Sequence, residues 1–156
     1  MKRKVILDDQ GFARVRVDIR PRYDTTMKTY AFKVDTGANC TTIGRDTLNA
    51  LGFDDEWIKQ GKPMRPSVAS GIVIEDCYEV ILPEIRIGDW VGYNWPFLTG
   101  LSAKFRFLLG TDSMKFFKWY FDYECDICEF DIIRGKQRML FNQAVQVIHE
   151  LDESED

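Results

Sequence analysis

The chain has 156 residues, of which 45% are apolar and 13% aromatic, and its net charge is −4. This apolar content fits a single domain, expected over residues 1–151, followed by an acidic tail at residues 152–156 that we expect to be disordered. Scattered lysine and arginine residues argue against a nucleic-acid partner, and the absence of a long apolar run argues against a membrane-spanning segment.

The N-terminal residues predict a hairpin rather than a targeting signal. The basic start Met1–Lys4 resembles that of a signal peptide, but the apolar stretch Val5–Leu7 is too short for its core, and Asp8-Asp9 ends it. We therefore expect a cytoplasmic protein. Val5–Leu7, a turn ending at Gly11 and the alternating strand Phe12–Ile19 form the predicted hairpin.

The next strand delivers a carboxylate into a turn. Lys28–Val34 alternates apolar and polar residues as a half-buried strand does, and it ends at Asp35-Thr36-Gly37. Gly37 permits a tight bend around the aspartate, and a carboxylate held in this way is a candidate acid/base group. A lone Asp-Thr-Gly is more often a plain turn, and a phosphate-accepting aspartate is disfavoured because the position of Gly37 would then usually be acidic.

Two short helices and a strand are predicted in the middle of the chain. Arg45–Leu51 is helical with Gly52 as its stop, and Asp54–Gln60 forms a further turn of helix. Between Ile72 and Leu82 a series of apolar residues falls on even positions, which predicts a strand, and Asp76 interrupts the series at a bend or bulge. The series is Ile72, Ile74, Tyr78, Val80 and Leu82.

Strands also dominate the predictions for the second half of the chain. Ile85–Ile87, Trp90–Leu98 and Phe105–Leu109 are expected to be extended. Asp112 is a predicted N-cap for a helix at Ser113–Lys118. Residues 143–151 fit a helix or a strand equally well, and that choice stays open.

The pair Cys125 and Cys128 has the two-residue spacing of a metal or redox motif. A zinc site needs two more ligands, the only histidine is His149, and no thioredoxin-like context surrounds the pair. The favoured interpretation places both cysteines at a hairpin turn between strands at 119–124 and 129–133. No metal and no cofactor is expected.

Several landmarks in order resemble the retroviral-type (retropepsin) branch of the aspartic proteases. They are Asp35-Thr36-Gly37 after an apolar strand, Cys40–Ile43, a helix ending at Leu51-Gly52, a flap region at Ser67–Gly71, and Phe107–Asp112 as the second apolar-Gly landmark. The resemblance covers approximately residues 12–135. It implies an all-β fold, a closed or partly open barrel with one or two short helices, as the strand pattern also indicates.

The resemblance further implies a homodimeric aspartic endopeptidase acting on a peptide or protein substrate. The chain supplies one Asp-Thr-Gly, so a second copy must provide the other catalytic Asp35, and Thr36 would lock the two loops together. Gly37 belongs to the same active-site loop. The expected substrate-binding residues are Ala38, Asn39, Ala69, Ser70 and Gly71. The alternative is a peptide-binding or assembly module that keeps the fold without catalysis.

Overall fold

The computed structural model describes residues 3–68, 70–133 and 137–141. These residues form ten strands and three short helices. The strands are β1 (Arg3–Ile6), β2 (Arg14–Ile19), β3 (Lys28–Val34), β4 (Lys62–Met64), β5 (Cys77–Ile87), β6 (Trp90–Gly100), β7 (Leu108–Leu109), β8 (Phe117–Asp122), β9 (Ile127–Ile132) and β10 (Arg138–Leu140). The helices are α1 (Arg45–Ala50), α2 (Asp55–Lys59) and α3 (Thr111–Met114). The all-β fold expected from the sequence is confirmed.

The main sheet has seven strands and curls into a half-barrel. Its order is β10-β6-β5-β2-β3-β7, and β4 pairs with β5 outside that path. Neighbours are antiparallel except at the two ends, where β10 runs parallel to β6 and β7 runs parallel to β3. The parallel end pair matters for the site, because it brings Val34 beside Leu109.

The core lies on the concave side of this sheet. Val15, Val17 and Ile19 are buried while the alternate positions of β2 face solvent, as the period of a strand requires. Trp90 and Trp95 are fully buried and meet edge to face with ring centroids 4.8 Å apart. Both residues belong to β6, and each also packs against a ring outside it, Trp90 against Phe117 at 5.1 Å and Trp95 against Phe116 at 5.5 Å between centroids.

The predicted N-terminal hairpin is wrong in its pairing. The turn forms, since the carboxylate of Asp8 accepts hydrogen bonds from the amides of Gln10 and Phe12. However, β1 does not pair with β2. It pairs with β9 in a separate three-stranded sheet, where Val5 lies opposite Cys128. The turn at Asp8 does not determine which strand pairs with β1. All four residues of β1 pair with the distant strand β9 instead.

The strand predicted from Ile72 to Leu82 begins only at Cys77, after Asp76, which has a left-handed φ of 59°. The strand then continues through Pro83, so two predicted strands are one. Pro83 is tolerated because the ladder skips it: Leu82 pairs with Trp95 and Glu84 with Tyr93. The skipped partner, Asn94, has a φ of 51°.

Two predictions around the second landmark also need correction. The strand expected over 105–109 is only Leu108–Leu109. The helix expected over 113–118 covers Thr111–Met114 instead, with Gly110 as its N-cap, because Phe117 already belongs to β8. Asp112 therefore lies inside the helix and does not cap it.

The cysteine-containing turn is confirmed as a hairpin. β8 and β9 are antiparallel, and the turn between them includes Asp126 at a φ of 55°. Cys125 is exposed and Cys128 is buried, and both thiols are free. In the described part of the chain no group of three or more metal-ligating side chains lies together, and no helix there has the length and apolarity to cross a membrane. Residues 143–156 lie outside the described residues.

Candidate active site

The backbone of Asp35 is fixed by strands on both sides. Its amide donates to the carbonyl oxygen of Leu109 over 3.0 Å, and the amide of Val34 donates to the carbonyl of Ala13 over 2.8 Å. One residue earlier, the Lys33 amide donates to the carbonyl of Phe107 over 2.9 Å. Asp35 therefore emerges from the end of a paired strand with its position set by the sheet.

The turn after Asp35 orients its carboxylate. The amide of Gly37 donates to Oδ1 over 2.9 Å, and the amide of Ala38 donates to the Asp35 carbonyl over 3.2 Å. No described residue donates to Oδ2. One carboxylate oxygen is thus held by the backbone while the other is available to a group from outside the chain.

The predicted loop residues remain accessible. Asp35 and Ala38 are half-buried, whereas Thr36, Gly37 and Asn39 are exposed. The structure thus brings Asp35, Thr36, Gly37, Ala38 and Asn39 together in one turn whose tip faces solvent.

The loop lies directly across the second landmark. The amide of Thr111 donates to the carbonyl of Ala38 over 2.8 Å, and the amide of Thr42 donates to the carbonyl of Leu108 over 2.9 Å. At Gly110 the contact is so close that a Cβ atom would overlap with the backbone of Cys40. Glycine is required at this crossing because two backbones meet there without room for a side chain.

Behind the loop lies a buried polar cluster formed by Thr41, Asp112, Ser113 and Trp95. The Thr41 amide donates to Oδ2 of Asp112 over 3.2 Å, and Oγ1 of Thr41 lies 2.7 Å from both Oδ1 of Asp112 and Oγ of Ser113. The amide of Gly110 donates to Thr41 Oγ1 over 3.2 Å, and the indole N–H of Trp95 donates to Ser113 Oγ over 2.8 Å. The cluster ties the Asp35 loop to α3 and to β6.

Burial dominates the electrostatics of this cluster. Burial raises the pKa of Asp112 above its ordinary value, although hydrogen bonds from Thr41 and Ser113 act in the opposite direction. The pKa of the Cys40 thiol is also raised, first by burial and then by the negative charges of Asp112 and Glu79. Cys40 is therefore protonated at neutral pH and is not a nucleophile here.

The flap region forms a small hairpin. Ser67 bridges to Val73, the amide of Val68 donates to the carbonyl of Ile72 over 3.0 Å, and the amide of Gly71 donates to the carbonyl of Val68 over 2.8 Å. Val68, Ile72 and Val73 are exposed at 44%, 66% and 44%, which is unusual for apolar residues on a hairpin. The hairpin thus presents an apolar surface to an incoming chain.

Of the predicted flap-tip residues, Ser70 is exposed and Gly71 adopts a φ of 85° with open space around it. Ala69 lies outside the described residues. Among the hydrogen bonds between described residues, none joins this hairpin to the Asp35 loop.

Sequence reasoning missed the buried cluster. Thr41 and Ser113 received no role, and Asp112 was assigned to capping. The available signal was the run of short polar residues immediately after each landmark, at Thr41-Thr42 and at Thr111–Ser113. Such residues are unexpected in an apolar core unless they satisfy one another.

Comparisons with known proteins agree with this geometry. A family model described as aspartyl protease matches residues 17–113. The fold is similar to the crystal structure of a retropepsin-like aspartic protease from Rickettsia conorii, with a TM-score of 0.60 and 19% sequence identity, over 83% of this chain and 90% of that chain. Among curated proteins, no sequence matches.

Proposed function

Because this chain belongs to the aspartyl protease family and has the retropepsin-like fold, we propose that two copies assemble into an endopeptidase with one Asp35 from each copy in a shared site. The observation that carries this proposal is the state of the Asp35 carboxylate. Oδ1 is held by the Gly37 amide, and Oδ2 has no donor among the described residues. The arrangement is that of half a catalytic dyad.

A pair of carboxylates is needed because peptide hydrolysis requires a base and an acid at once. In aspartic proteases as a class, two aspartates in close contact share one proton, since like charges so near cannot both be ionised. The ionised Asp35 takes a proton from water as the water oxygen attacks the peptide carbon. The protonated Asp35 gives its proton to the carbonyl oxygen, which yields a tetrahedral diol. Return of a proton to the nitrogen breaks the C–N bond and releases amine and acid.

The exposed turn supports assembly through this loop. Thr36 and Gly37 form its solvent-facing tip. A second copy related by a twofold axis could therefore contact both residues without any rearrangement of the core. Thr36 would then bond across the axis, as the family resemblance implies. The single Asp-Thr-Gly of the chain makes the second copy a condition of catalysis.

An extended peptide is the substrate that best suits the surroundings. The flap hairpin offers apolar side chains, while Asn39 is exposed in the same turn as Asp35. A strand-like substrate would bond to the loop on one side and to Ala69, Ser70 and Gly71 on the other. Closure of the hairpin over the substrate would exclude water from the reaction.

The test compares wild type with Asp35→Asn, and with Asp46→Asn as a control. Asp46 is an exposed aspartate in the first turn of α1, away from the loop. Wild type and the control should cleave a denatured protein at mildly acidic pH, with inhibition by a statine-type transition-state mimic, and Asp35→Asn should not. Peptide binding without cleavage by any of the three proteins would contradict the enzyme and favour a binding module.

A further inference from the structure

The carboxylate of Asp112 is placed where the Asp35 loop crosses the second landmark. Both of its oxygens are used by one residue of that loop: Oδ2 accepts from the amide of Thr41 and Oδ1 from its hydroxyl. Thr41 is 1% exposed and Asp112 is half-buried, so water reaches these bonds only from the side of the carboxylate. A half-buried carboxylate that accepts two hydrogen bonds from the same residue restrains the position of that residue.

The donors around Thr41 limit the directions that the hydrogen bonds of the cluster can take. Trp95 Nε1 and the Gly110 amide can only donate, so Ser113 Oγ and Thr41 Oγ1 accept from them. Each hydroxyl has one proton left to donate. The shorter contacts favour donation from Ser113 to Thr41 Oγ1, 2.7 Å away, and from Thr41 to Asp112 Oδ1, because the other acceptor of the Ser113 proton, Asp112 Oδ1, is farther away at 3.3 Å. The chain of donors therefore runs from Trp95 to Asp112 and ends on an acceptor.

We propose that Asp112, as a carboxylate, is a positioning residue for the active site, because it holds Thr41 and thereby fixes the loop that presents Asp35. This inference rests on the proposed peptidase function. Asp112 does not touch the reacting atoms. It acts through Thr41, and the same loop is held at Ala38 by the amide of Thr111, the neighbour of Asp112.

Protonation of Asp112 would weaken this restraint. A protonated carboxyl has one oxygen that carries a proton and accepts less well, so one of the two bonds from Thr41 is compromised. The ionisable groups that line the same small cavity are Cys40 on the loop and Glu79 on β5; the other lining residues are Thr41, Met64 and Pro96–Leu98. In the described part of the chain no cation lines it, so hydrogen bonds alone offset the burial of the charge. Acidification therefore removes the restraint at a higher pH than it would at an ordinary aspartate.

The experiment uses full-length Asp112→Asn and Asp112→Ala, with Asp46→Asn as the matched control. Asp46 and Asp112 each lie in the first turn of a short helix with a glycine N-cap, but only Asp112 is bonded to the loop. We expect kcat to fall about threefold to tenfold in Asp112→Asn and more in Asp112→Ala, with KM little changed, because misplacement of a reacting group costs rate. The activity of each protein should also be measured as a fraction of its own maximum across pH. On this scale, the activity of Asp112→Asn should persist to a lower pH than that of wild type.

A second measurement does not depend on catalysis. In wild type, the NMR signals of the Thr41 amide and the Trp95 indole proton should titrate together with a common midpoint above the ordinary pKa of an aspartate, and in Asp112→Asn both should be independent of pH in that range. If wild type shows the common titration of the two signals but has no peptidase activity, the proposed function is overturned and the contact between Asp112 and Thr41 is supported. Active Asp112→Asn and Asp112→Ala with kcat and acid limb equal to those of wild type would overturn the positioning role.

Discussion

Gly110 lies against the backbone of Cys40 so closely that the two segments leave no space for a β-carbon. This contact joins the two landmarks of the sequence, because Cys40 follows the Asp35 turn and Gly110 precedes α3. The position of the candidate catalytic loop therefore depends on the absence of a side chain at Gly110.

Gly110→Ala should destabilise the protein, because the clash is with rigid backbone rather than with a flexible side chain. We expect a loss of about 1–3 kcal/mol or more in the free energy of unfolding, measured by urea denaturation, together with a loss of peptidase activity. Gly44→Ala is the matched control, since Gly44 is also the N-cap of a short helix, but a β-carbon there would lie 3.2 Å from its nearest neighbour, the Phe105 carbonyl oxygen. Equal losses in the two variants would contradict the role given to the crossing.

Thr41→Val keeps the shape of the side chain and removes its hydroxyl. The Gly110 amide and the Ser113 hydroxyl then lose a buried partner, so the free energy of unfolding should fall by about 1–3 kcal/mol. The control is Thr99→Val, because the buried hydroxyl of Thr99 has no hydrogen-bond partner among the described residues and its removal should be neutral or stabilising. Urea denaturation of both variants gives the two changes in the free energy of unfolding. A larger loss in Thr99→Val than in Thr41→Val would contradict the hydrogen-bonded cluster around Thr41.

The raised pKa of Asp112 predicts a pH dependence of stability. The folded state binds the Asp112 proton more tightly than the unfolded state, so this residue's contribution to the free energy of unfolding is largest at low pH. It decreases as the pH rises from the ordinary value of 3.8 through the raised pKa of the folded state.

Other carboxylates, such as Asp8 and Asp55, have lowered pKa values and give the opposite slope, so the difference between wild type and Asp112→Asn must be measured. Relative to Asp112→Asn, wild type should become less stable as the pH rises through that window. A difference that is constant or increases with pH would contradict this environment for Asp112.

The sequence was sufficient for the local features of the site. The alternation in Lys28–Val34 and the Asp-Thr-Gly turn placed Asp35 at a strand end, and the structure confirms that placement. The hairpin around Cys125 and Cys128 was also predictable, because its strands are adjacent in sequence and its turn is short.

Features that depend on distant residues were not predictable. Asp112 resembled a helix cap because its true partner, Thr41, is 71 residues away in sequence. The pairing of β1 with β9 was missed for the same reason. The strand Cys77–Ile87 was predicted as two strands, because the ladder passes over Pro83 and Asn94 only when both strands are considered together. Period and turn chemistry describe one segment at a time, whereas the support of the candidate site is formed between segments.

The most direct test of the shared site is to refold wild type together with an equal amount of Asp35→Asn. If each site requires Asp35 from both copies, mixed dimers are inactive, and random assembly leaves peptidase activity per wild-type chain at about half that of wild type refolded alone at the same total concentration. Increasing the excess of Asp35→Asn should lower it further. Activity per wild-type chain that is independent of the added Asp35→Asn would contradict a site formed by two copies.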